Sequence, residues 1–441
     1  MLNPVYRTAT FLCQLVARLP IGTNLGLAHL LWTLLSGHFL PSRGAVFPAL
    51  QNAGIADKEA RQAEASLREG KWDVRSLLRR FGWLIRQEQH TKRVCIGQWR
   101  PLLIDWVGFF RPRLSGCSSK HYDSAAGKAL PAIELGMVAT VGQIRERTIP
   151  VLVELNRSGD TLSLLQLART KQGCRDVLVA DRQVKMSHLE EAGLRHFVIR
   201  VGNGVSQRAQ QNLAARRSEI MSRESGKRGR KPTRGEMVRP LARHYKGKIL
   251  GATPPDREEN FVENGRPMEA KWFDKIVVAG SSREASCLVI KDPRYKNEWV
   301  LLTDLSDASA ETVYRLYCSR WKIEQLPLTG KQILGGHRSF VHAATSRYRL
   351  PEICLLCASV SLYLSATCEA IATGFWDRHP KRTPGRYRRV LFGAKLPQFR
   401  EFTVGYGRVR EKHSIHEHLS KGIAGHCRQV MNGTPPSFTG N

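Results

Sequence analysis

The apolar residues of this chain change their spacing near residue 100. Before that point they recur at helical intervals, as at Leu77, Leu78, Phe81 and Leu84, so the first part of the chain is predicted to be helical. After it, short apolar runs predict strands, first in direct succession and then alternating with helices. This order predicts an α/β fold with a mixed sheet, preceded by an all-α region.

The 441 residues are enough for several domains. Between residue 202 and residue 307 the regular pattern gives way to charged residues and turns, with short strands near the end. We therefore predict five segments: a helical region (1–98), the first part of the sheet domain (99–201), a β-rich basic insertion (202–307), the second part of the sheet domain (308–372) and a basic tail (373–441).

The chain carries a formal net charge of +31. Repulsion on that scale is tolerated best when the partner is a polyanion, and nucleic acid is the first candidate. A basic protein at a membrane surface would share the charge. However, the apolar stretch 9–40 is interrupted by Arg18, Pro20, Asn24 and His29, so neither a membrane span nor a signal peptide is predicted.

Two segments hold much of the excess positive charge. Residues 216–248 contain 12 Lys or Arg against 3 Glu, and residues 377–412 contain 11 against 3 acidic residues. The first segment includes the sequence Gly-Lys-Arg-Gly-Arg-Lys-Pro, which resembles the core of an AT-hook and suits a narrow minor groove. We predict that its side chains bind DNA, and a solvated loop is the alternative: Lys227, Arg228, Arg230 and Lys231.

A helix-turn-helix is a second candidate for DNA contact. Residues 47–52 would form its first helix, Gly54 its turn, and Asp57 the N-cap of a second helix that ends near Leu67. Plain packing of two short helices explains the same pattern, and the sequence favours neither interpretation.

The ten cysteines suggest a reducing environment. Their closest pair, Cys354 and Cys357, lies in an apolar helical run without a second ligand pair at matching spacing. We predict buried, reduced thiols at these positions and no zinc site.

Two aspartates follow apolar runs that predict neighbouring strands. Asp105 and Asp181 should stand at the carboxyl ends of those strands, where an open α/β sheet presents its ligand-binding side chains. An aspartate at such a position can also be a simple helix cap or turn residue.

A long helix is predicted to begin at Ser309 and to carry one polar stripe. Its members, Tyr317, Arg320, Glu324 and Lys331, fall within about 60° of each other at about 100° per residue. The stripe can face a cleft, or it can be a solvated face with an i,i+4 ion pair. Pro327 lies inside this helix and should kink it.

The spacing Tyr317-x2-Arg320-x3-Glu324-x6-Lys331 matches a known signature at every defined position. In this respect the chain resembles the DDE-type transposases of bacterial insertion sequences, in the IS-four-type group that carries a β-rich insertion. The segments 179–182 and 299–304 are also similar to that family. The resemblance extends from about residue 100 to about residue 370.

The resemblance implies an RNase H-like catalytic domain in which Asp105, Asp181 and Glu324 are both the catalytic and the metal-binding residues. Such a triad holds two Mg²⁺ ions about 3.5–4 Å apart, and Mn²⁺ can substitute. Tyr317, Arg320 and Lys331 would then hold the phosphates of the transposon end.

Trp321 follows the signature arginine directly. It would stack on an unpaired or flipped base, and a tryptophan of the protein core is the other interpretation.

The implied activity is cut-and-paste transposition of an insertion sequence by a cytoplasmic, nucleoid-associated bacterial enzyme. Its partners would be double-stranded DNA, both transposon ends and target, and a second copy of the chain in a homodimer on DNA. Region 1–98 would then be a DNA-binding domain. The alternatives are a non-catalytic DNA-binding protein derived from such an enzyme and a metal-dependent nuclease without strand transfer.

Overall fold

A computed structural model of the chain describes residues 3–20, 22–111, 119–123, 126–201, 209–211, 237–278, 280–337, 341 and 343–399. The helices are α1 (Pro4–Val16), α2 (Thr23–Leu35), α3 (Val46–Asn52), α4 (Asp57–Glu69), α5 (Val74–Glu88), α6 (Thr161–Arg169), α7 (Met186–Glu191), α8 (Ala310–Ser319), α9 (Gln325–Leu328), α10 (Ser346–Thr367) and α11 (Pro384–Phe392), with a 3₁₀ turn at Arg320–Lys322 and a π-helix at Thr329–Ile333.

The strands, in chain order, are β1 (Lys92–Arg93), β2 (Arg100–Phe110), β3 (Lys120–Asp123), β4 (Lys128–Ile144), β5 (Arg147–Asn156), β6 (Asp176–Ala180), β7 (His196–Val201), β8 (Ala209–Gln211), β9 (Met237–Val238), β10 (Arg243–Tyr245), β11 (Lys248–Leu250), β12 (Arg257–Glu263), β13 (Arg266–Val277), β14 (Glu284–Lys291) and β15 (Trp299–Thr303).

The chain divides into two compact units. Unit 1 is formed by the described parts of Met1–Lys92, Trp106–Arg157 and Lys322–Asn441, and unit 2 by those of Arg93–Asp105 and Ser158–Trp321. Each unit therefore combines segments that are distant in the sequence. The predicted division of the chain by function stays a prediction.

Unit 1 is built around helix α10, which packs against α2, α5, α11 and the hairpin of β4 and β5. The aromatic side chains of Phe11, Phe81 and Tyr363 meet in its core, with ring centroids 5.9 to 6.3 Å apart. The residues that predicted an amphipathic helix before residue 100 are buried on one face of α5. The prediction that this region is helical is therefore confirmed.

Helix α10 is long and apolar enough, by length and composition, to cross a membrane. However, 94% of its apolar window is buried inside the protein, as in the core helix of a soluble protein. Cys354 and Cys357 lie on this helix as buried free thiols, which confirms the prediction that they are buried. Burial raises the pKa of the Cys354 thiol to about 12, so this thiol stays protonated and inert.

The predicted helix-turn-helix consists of α3 and α4, joined through Gly54 in a left-handed conformation with φ of +78°. One detail of the prediction was wrong. Ala56 is the N-cap of α4, whereas Asp57 lies in the first turn and accepts a hydrogen bond of 3.0 Å from Gln51 Nε2. Lys58 and Arg61 are exposed on α4, and a role for this face in reading DNA stays a prediction.

Unit 2 contains a mixed sheet. Strand β6 lies between β2 and β7 and pairs with both in parallel, while β7, β15, β14 and β13 follow in antiparallel order. All five residues of β6 are buried, because a strand in the middle of a parallel sheet is covered on both faces. The prediction of an α/β fold with a mixed sheet is thus confirmed.

Helix α8 packs against β6 and β7 in the same unit. It begins as predicted, because the hydroxyl of Ser309 accepts a hydrogen bond of 3.2 Å from the backbone N–H of Thr312. Glu311 in its first turn adds a favourable interaction with the helix dipole. This packing fixes the position of Tyr317, the signature residue that lies on α8.

Candidate active site

Asp105 on β2 and Asp181, directly after β6, occupy equivalent positions in the register of two neighbouring parallel strands. Strands β2 and β6 pair from Arg100 with Asp176 to Leu103 with Val179, an offset of 76 residues. The same offset separates the two aspartates, since 181 − 105 = 76. Asp181 directly follows the last residue of β6, as predicted.

The prediction that Asp105 stands at the end of its strand was wrong. Strand β2 continues to Phe110, so Asp105 lies in its middle. The apolar run after Asp105 explains the difference, because Trp106, Val107 and Phe109 are buried and prolong the strand. The parallel pairing with β6 nevertheless ends near Asp105, so the aspartate still lies where the two strands part.

One arginine contacts both aspartates. Arg320 Nη1 lies 3.5 Å from Asp105 Oδ2, and Arg320 Nη2 lies 3.9 Å from Asp181 Oδ2. The arginine side chain is largely buried, whereas the carboxylate of Asp181 is more exposed. The guanidinium thus offsets the repulsion between two neighbouring carboxylates.

Tyr317 holds the second aspartate. Its hydroxyl donates a hydrogen bond of 3.4 Å to Asp181 Oδ1, and its ring packs edge-on against Trp299 at a centroid distance of 5.4 Å. Burial and the charge of Asp181 raise the pKa of the Tyr317 hydroxyl. The hydroxyl therefore stays protonated near neutral pH and can act as a hydrogen-bond donor.

Arg200 belongs to the same cluster, although the sequence did not single it out. It lies on β7 with its guanidinium 5.3 Å from the centre of the Trp299 ring, and it also interacts with Tyr317. A signal was present, because an arginine interrupts the otherwise apolar run of β7. Unit 2 therefore places two arginines around the Asp181 and Tyr317 pair.

Trp321 is the last residue of unit 2. Its side chain is 67% exposed. The interpretation that it is a core tryptophan was wrong. Its alternative role, stacking on an unpaired base, stays a prediction.

The segment that carries the signature is not one regular helix. Helix α8 ends at Ser319 and is followed by the 3₁₀ turn, the short helix α9 and the π-helix. Pro327 lies within α9 and has no N–H to donate to the carbonyl of Ile323, which instead accepts from Leu326 at 3.0 Å. The predicted angles for a single stripe were therefore wrong, and the expected kink appears as a change of helix type.

Glu324 and Lys331 belong to unit 1. Glu324 is the half-buried N-cap residue of α9, and its carbonyl accepts a hydrogen bond of 3.2 Å from Leu328. The ammonium of Lys331 donates a hydrogen bond of 2.6 Å to the carbonyl of Gly108 and lies over the rings of Phe109 and Phe110. Its predicted contact with a DNA phosphate stays a prediction.

Burial lowers the pKa of the Lys331 ammonium to about 8. A charged group kept in such surroundings reduces stability, and the hydrogen bond to Gly108 offsets only part of that cost. Lys331 is half-buried and lies on a π-helix, a helix type that is frequent at functional sites.

Replacing Lys331 with methionine should make the stability of the protein less dependent on pH in alkaline solution. The lysine pKa is 10.5 before folding and about 8 afterwards, so between these values the unfolded chain binds more protons and wild-type stability rises with pH. The rise should reach about 3 kcal/mol, and the variant should lack it. Urea unfolding at about pH 7 and about pH 10 measures this change in the free energy of unfolding. If the difference in unfolding free energy between the two proteins is the same at both pH values, the prediction is contradicted.

The oxygen donors of Asp105 and Asp181 suit Mg²⁺ chemically. Across the described parts of the chain, however, no group of three or more His, Cys, Asp or Glu side chains is arranged to hold a metal ion. The two aspartates are instead placed against the guanidinium of Arg320. A divalent cation and the guanidinium would thus compete for the same pair of carboxylates.

The predicted minor-groove residues Lys227, Arg228, Arg230 and Lys231 lie outside the described residues, and so does the tail from residue 400 onward. Their predicted contacts with DNA stay predictions.

Comparison with known proteins adds no family to these observations. No protein-family model matches the chain, and no curated protein matches it.

Proposed function

We propose that this chain is a DNA transposase of an insertion sequence, which binds the terminal inverted repeats and catalyses metal-dependent strand cleavage and strand transfer. One observation carries the proposal. The two aspartates of the acidic motif occupy equivalent positions in the register of two neighbouring parallel strands, and two residues of the Tyr-Arg-Glu-Lys signature contact them. Residues 136 and 215 positions apart in the sequence thus meet at one site.

The class of fold supports the same proposal. Parallel strands β2, β6 and β7 continue into antiparallel strands, and helix α8 covers β6 and β7. We interpret this mixed sheet as RNase H-like. The hairpins that include β12, β13 and β14 fall in the segment predicted as the β-rich insertion.

The side chains have separate tasks in this proposal. Asp105 and Asp181 would hold the metal ions, with Glu324 as the third carboxylate that the resemblance adds. Bound Mg²⁺ supplies activation of a water or 3′-hydroxyl and stabilisation of the leaving oxygen. Tyr317 keeps Asp181 in position through its hydrogen bond.

Arg320 is suited to a DNA phosphate, because a guanidinium binds phosphate oxygens in pairs. Its contacts with the two aspartates are long, at 3.5 and 3.9 Å. Arg200 adds a second positive charge beside Tyr317. Both arginines would orient the scissile strand while the carboxylates hold the ions.

The proposed activity also implies a substrate, an assembly and a location in the cell. Double-stranded DNA as substrate and target, a homodimer that pairs two ends, and a cytoplasmic, nucleoid-associated location all follow from the proposed activity. The formal charge of +31 agrees with a DNA partner.

A non-catalytic DNA-binding protein derived from a transposase is the second candidate. Two observations favour it: Arg320 already neutralises both aspartates, and the signature segment is broken into short pieces around Pro327. A protein of this kind would retain the basic surface and bind the ends without cutting them.

The deciding experiment uses wild-type protein and a DNA fragment that carries the sequences flanking its own gene. Binding, strand cleavage and joining of a 3′-OH end to a second duplex are measured with Mg²⁺, with Mn²⁺ and with EDTA. Cleavage and joining that require the metal would support the transposase. Cleavage without joining would identify a nuclease, and binding without cleavage would identify the non-catalytic protein.

A further inference from the structure

A short loop between helices α10 and α11 is held rigidly by its own hydrogen bonds. Two backbone hydrogen bonds between Ile371 and Lys381, of 3.2 and 3.4 Å, close its base. Inside the loop, the carboxylate of Asp377 accepts hydrogen bonds from the backbone N–H and the hydroxyl of Thr373 at 3.0 and 3.1 Å. The loop thus keeps its shape without an apolar core of its own.

The next helix fixes this loop from outside. Arg386 of α11 donates a hydrogen bond of 2.6 Å to the carbonyl of Ile371, and it forms an ion pair of 2.7 Å with Asp377. Arg382 donates a further hydrogen bond of 2.9 Å to the carbonyl of Cys368, at the end of α10. The tip of the loop is therefore supported from both sides.

This rigid loop presents two adjacent aromatic rings to solvent. Phe375 is 99% exposed and Trp376 is 67% exposed. Among the described residues no other large apolar side chain is as exposed as Phe375. The rings meet edge to face, with centroids 5.1 Å apart.

The position of the tryptophan ring is determined by the backbone below it. A Cβ atom placed on Gly374 would collide with the Trp376 ring, so the ring lies directly against this glycine. Trp376 is thus held between Gly374 and the edge of Phe375, with little freedom to fold back onto the protein. Adjacent exposed aromatic rings held in this way offer apolar surface that a partner can bury.

The charge around the rings indicates the kind of partner. Arg378 and Lys381 are exposed on the same loop, and residues 377–395 contain seven Lys or Arg against one acidic residue. Rings flanked by positive charge fit a ligand that combines flat aromatic faces with phosphates. Nucleic acid has this combination, and its bases stack on aromatic side chains without regard to sequence.

We propose that Phe375 and Trp376 form a base-stacking site, which binds an unpaired base or an opened base step of DNA. The two rings act as a wedge, and the flanking basic residues hold the adjoining phosphates. This inference depends on the proposed function only in taking DNA as the partner, and it requires neither the metal nor the carboxylates.

The test uses the full chain with 2-aminopurine in a single-stranded oligonucleotide, in the same sequence as a duplex, and in a duplex with one unpaired base. Stacking quenches the fluorescence of this base, and anisotropy of a second label gives the affinity. In the variant with Phe375→Ala and Trp376→Ala, quenching should decrease strongly. Affinity for the unpaired base should fall roughly 5- to 100-fold, with a smaller change for the intact duplex.

Two further variants separate stacking from general damage. Tyr122→Ala removes another exposed aromatic side chain, on strand β3, and it should leave quenching and affinity unchanged. Gly374→Ala keeps both rings but displaces Trp376, so it should weaken quenching while leaving the charge unaltered.

Other outcomes would overturn the proposal. Equal quenching and affinity in the double alanine variant would show that the rings do not touch bases. Binding to vesicles of phosphatidylcholine and phosphatidylglycerol, if lost in that variant while DNA binding is retained, would identify a membrane-binding loop. If only the proposed function is wrong, the result is different. The protein would then not cleave DNA but would still quench the fluorescence of 2-aminopurine.

Discussion

Asp181→Asn is expected to reduce metal-dependent DNA cleavage by at least about 10³-fold, or about 4 kcal/mol of activation free energy, while DNA binding stays intact. The asparagine keeps the size of the side chain and an oxygen for the Tyr317 hydroxyl. It removes the negative charge that a bound divalent cation requires. Cleavage of an end-labelled fragment under single-turnover conditions, with binding measured in parallel, gives both quantities.

Asp160→Asn is the matched control for this variant. Asp160 is the N-cap of α6, and its carboxylate accepts a hydrogen bond of 2.7 Å from the N–H of Ser163. Asparagine caps helices about as well as aspartate, so this variant should cleave normally. Asp105→Asn and Glu324→Gln should both behave like Asp181→Asn. Undiminished cleavage by Asp181→Asn would assign the two aspartates a structural role beside Arg320.

The central strands could be predicted well because their burial leaves a direct mark on the sequence. Strand β6 reads as a short, mostly apolar run, and β7 as an apolar run interrupted by Arg200, which is typical of strands covered on both faces. The exact extent of β2 was harder to predict. Asp105 interrupts an apolar run, and a polar residue in the middle of a strand gives the same pattern as a polar residue at its end.

The signature segment shows the limit of periodicity arguments. Angles on a helical wheel assume one helix type throughout, whereas the helix type here changes after Ser319 and again after Leu328. Pro327 predicted that the helix would be irregular, but it did not predict which helix types would follow. The sequence also could not give the partner of Arg320, because that contact depends on strands more than 100 residues away.

One hairpin and one helix were not predicted although their sequence signals were present. Strand β12 and strand β13 form a hairpin through Asn264 and Gly265, both with positive φ, and Asn-Gly is a strong hairpin signal. Helix α11 begins with Thr383 as N-cap and a proline in its first turn, a common helix start. The dense charge of both regions concealed these signals.

The variant Arg157→Leu is expected to destabilise the protein by about 3 kcal/mol, far more than an ordinary surface substitution. Arg157 binds Glu352 through two hydrogen bonds of 2.6 and 2.9 Å. The glutamate side chain is only 2% exposed on helix α10, whereas the arginine is 54% exposed. Loss of the arginine leaves the buried carboxylate with weaker compensation, because Arg349 interacts with it electrostatically but donates its hydrogen bonds to backbone carbonyls near Gly70.

Arg157 and Glu352 differ in burial, so the two single variants should differ in stability. Glu352→Leu should cost less than about 1 kcal/mol, because the half-exposed Arg157 can turn to water. The double variant should recover most of the loss seen in Arg157→Leu, since two leucines leave no buried charge. Arg68→Leu, in an exposed pair with Glu69, should stay within about 0.5 kcal/mol of wild type. Urea unfolding of the four variants measures these values. Equal losses for Arg157→Leu and Glu352→Leu would show that packing, and not the buried charge, sets the stability of helix α10.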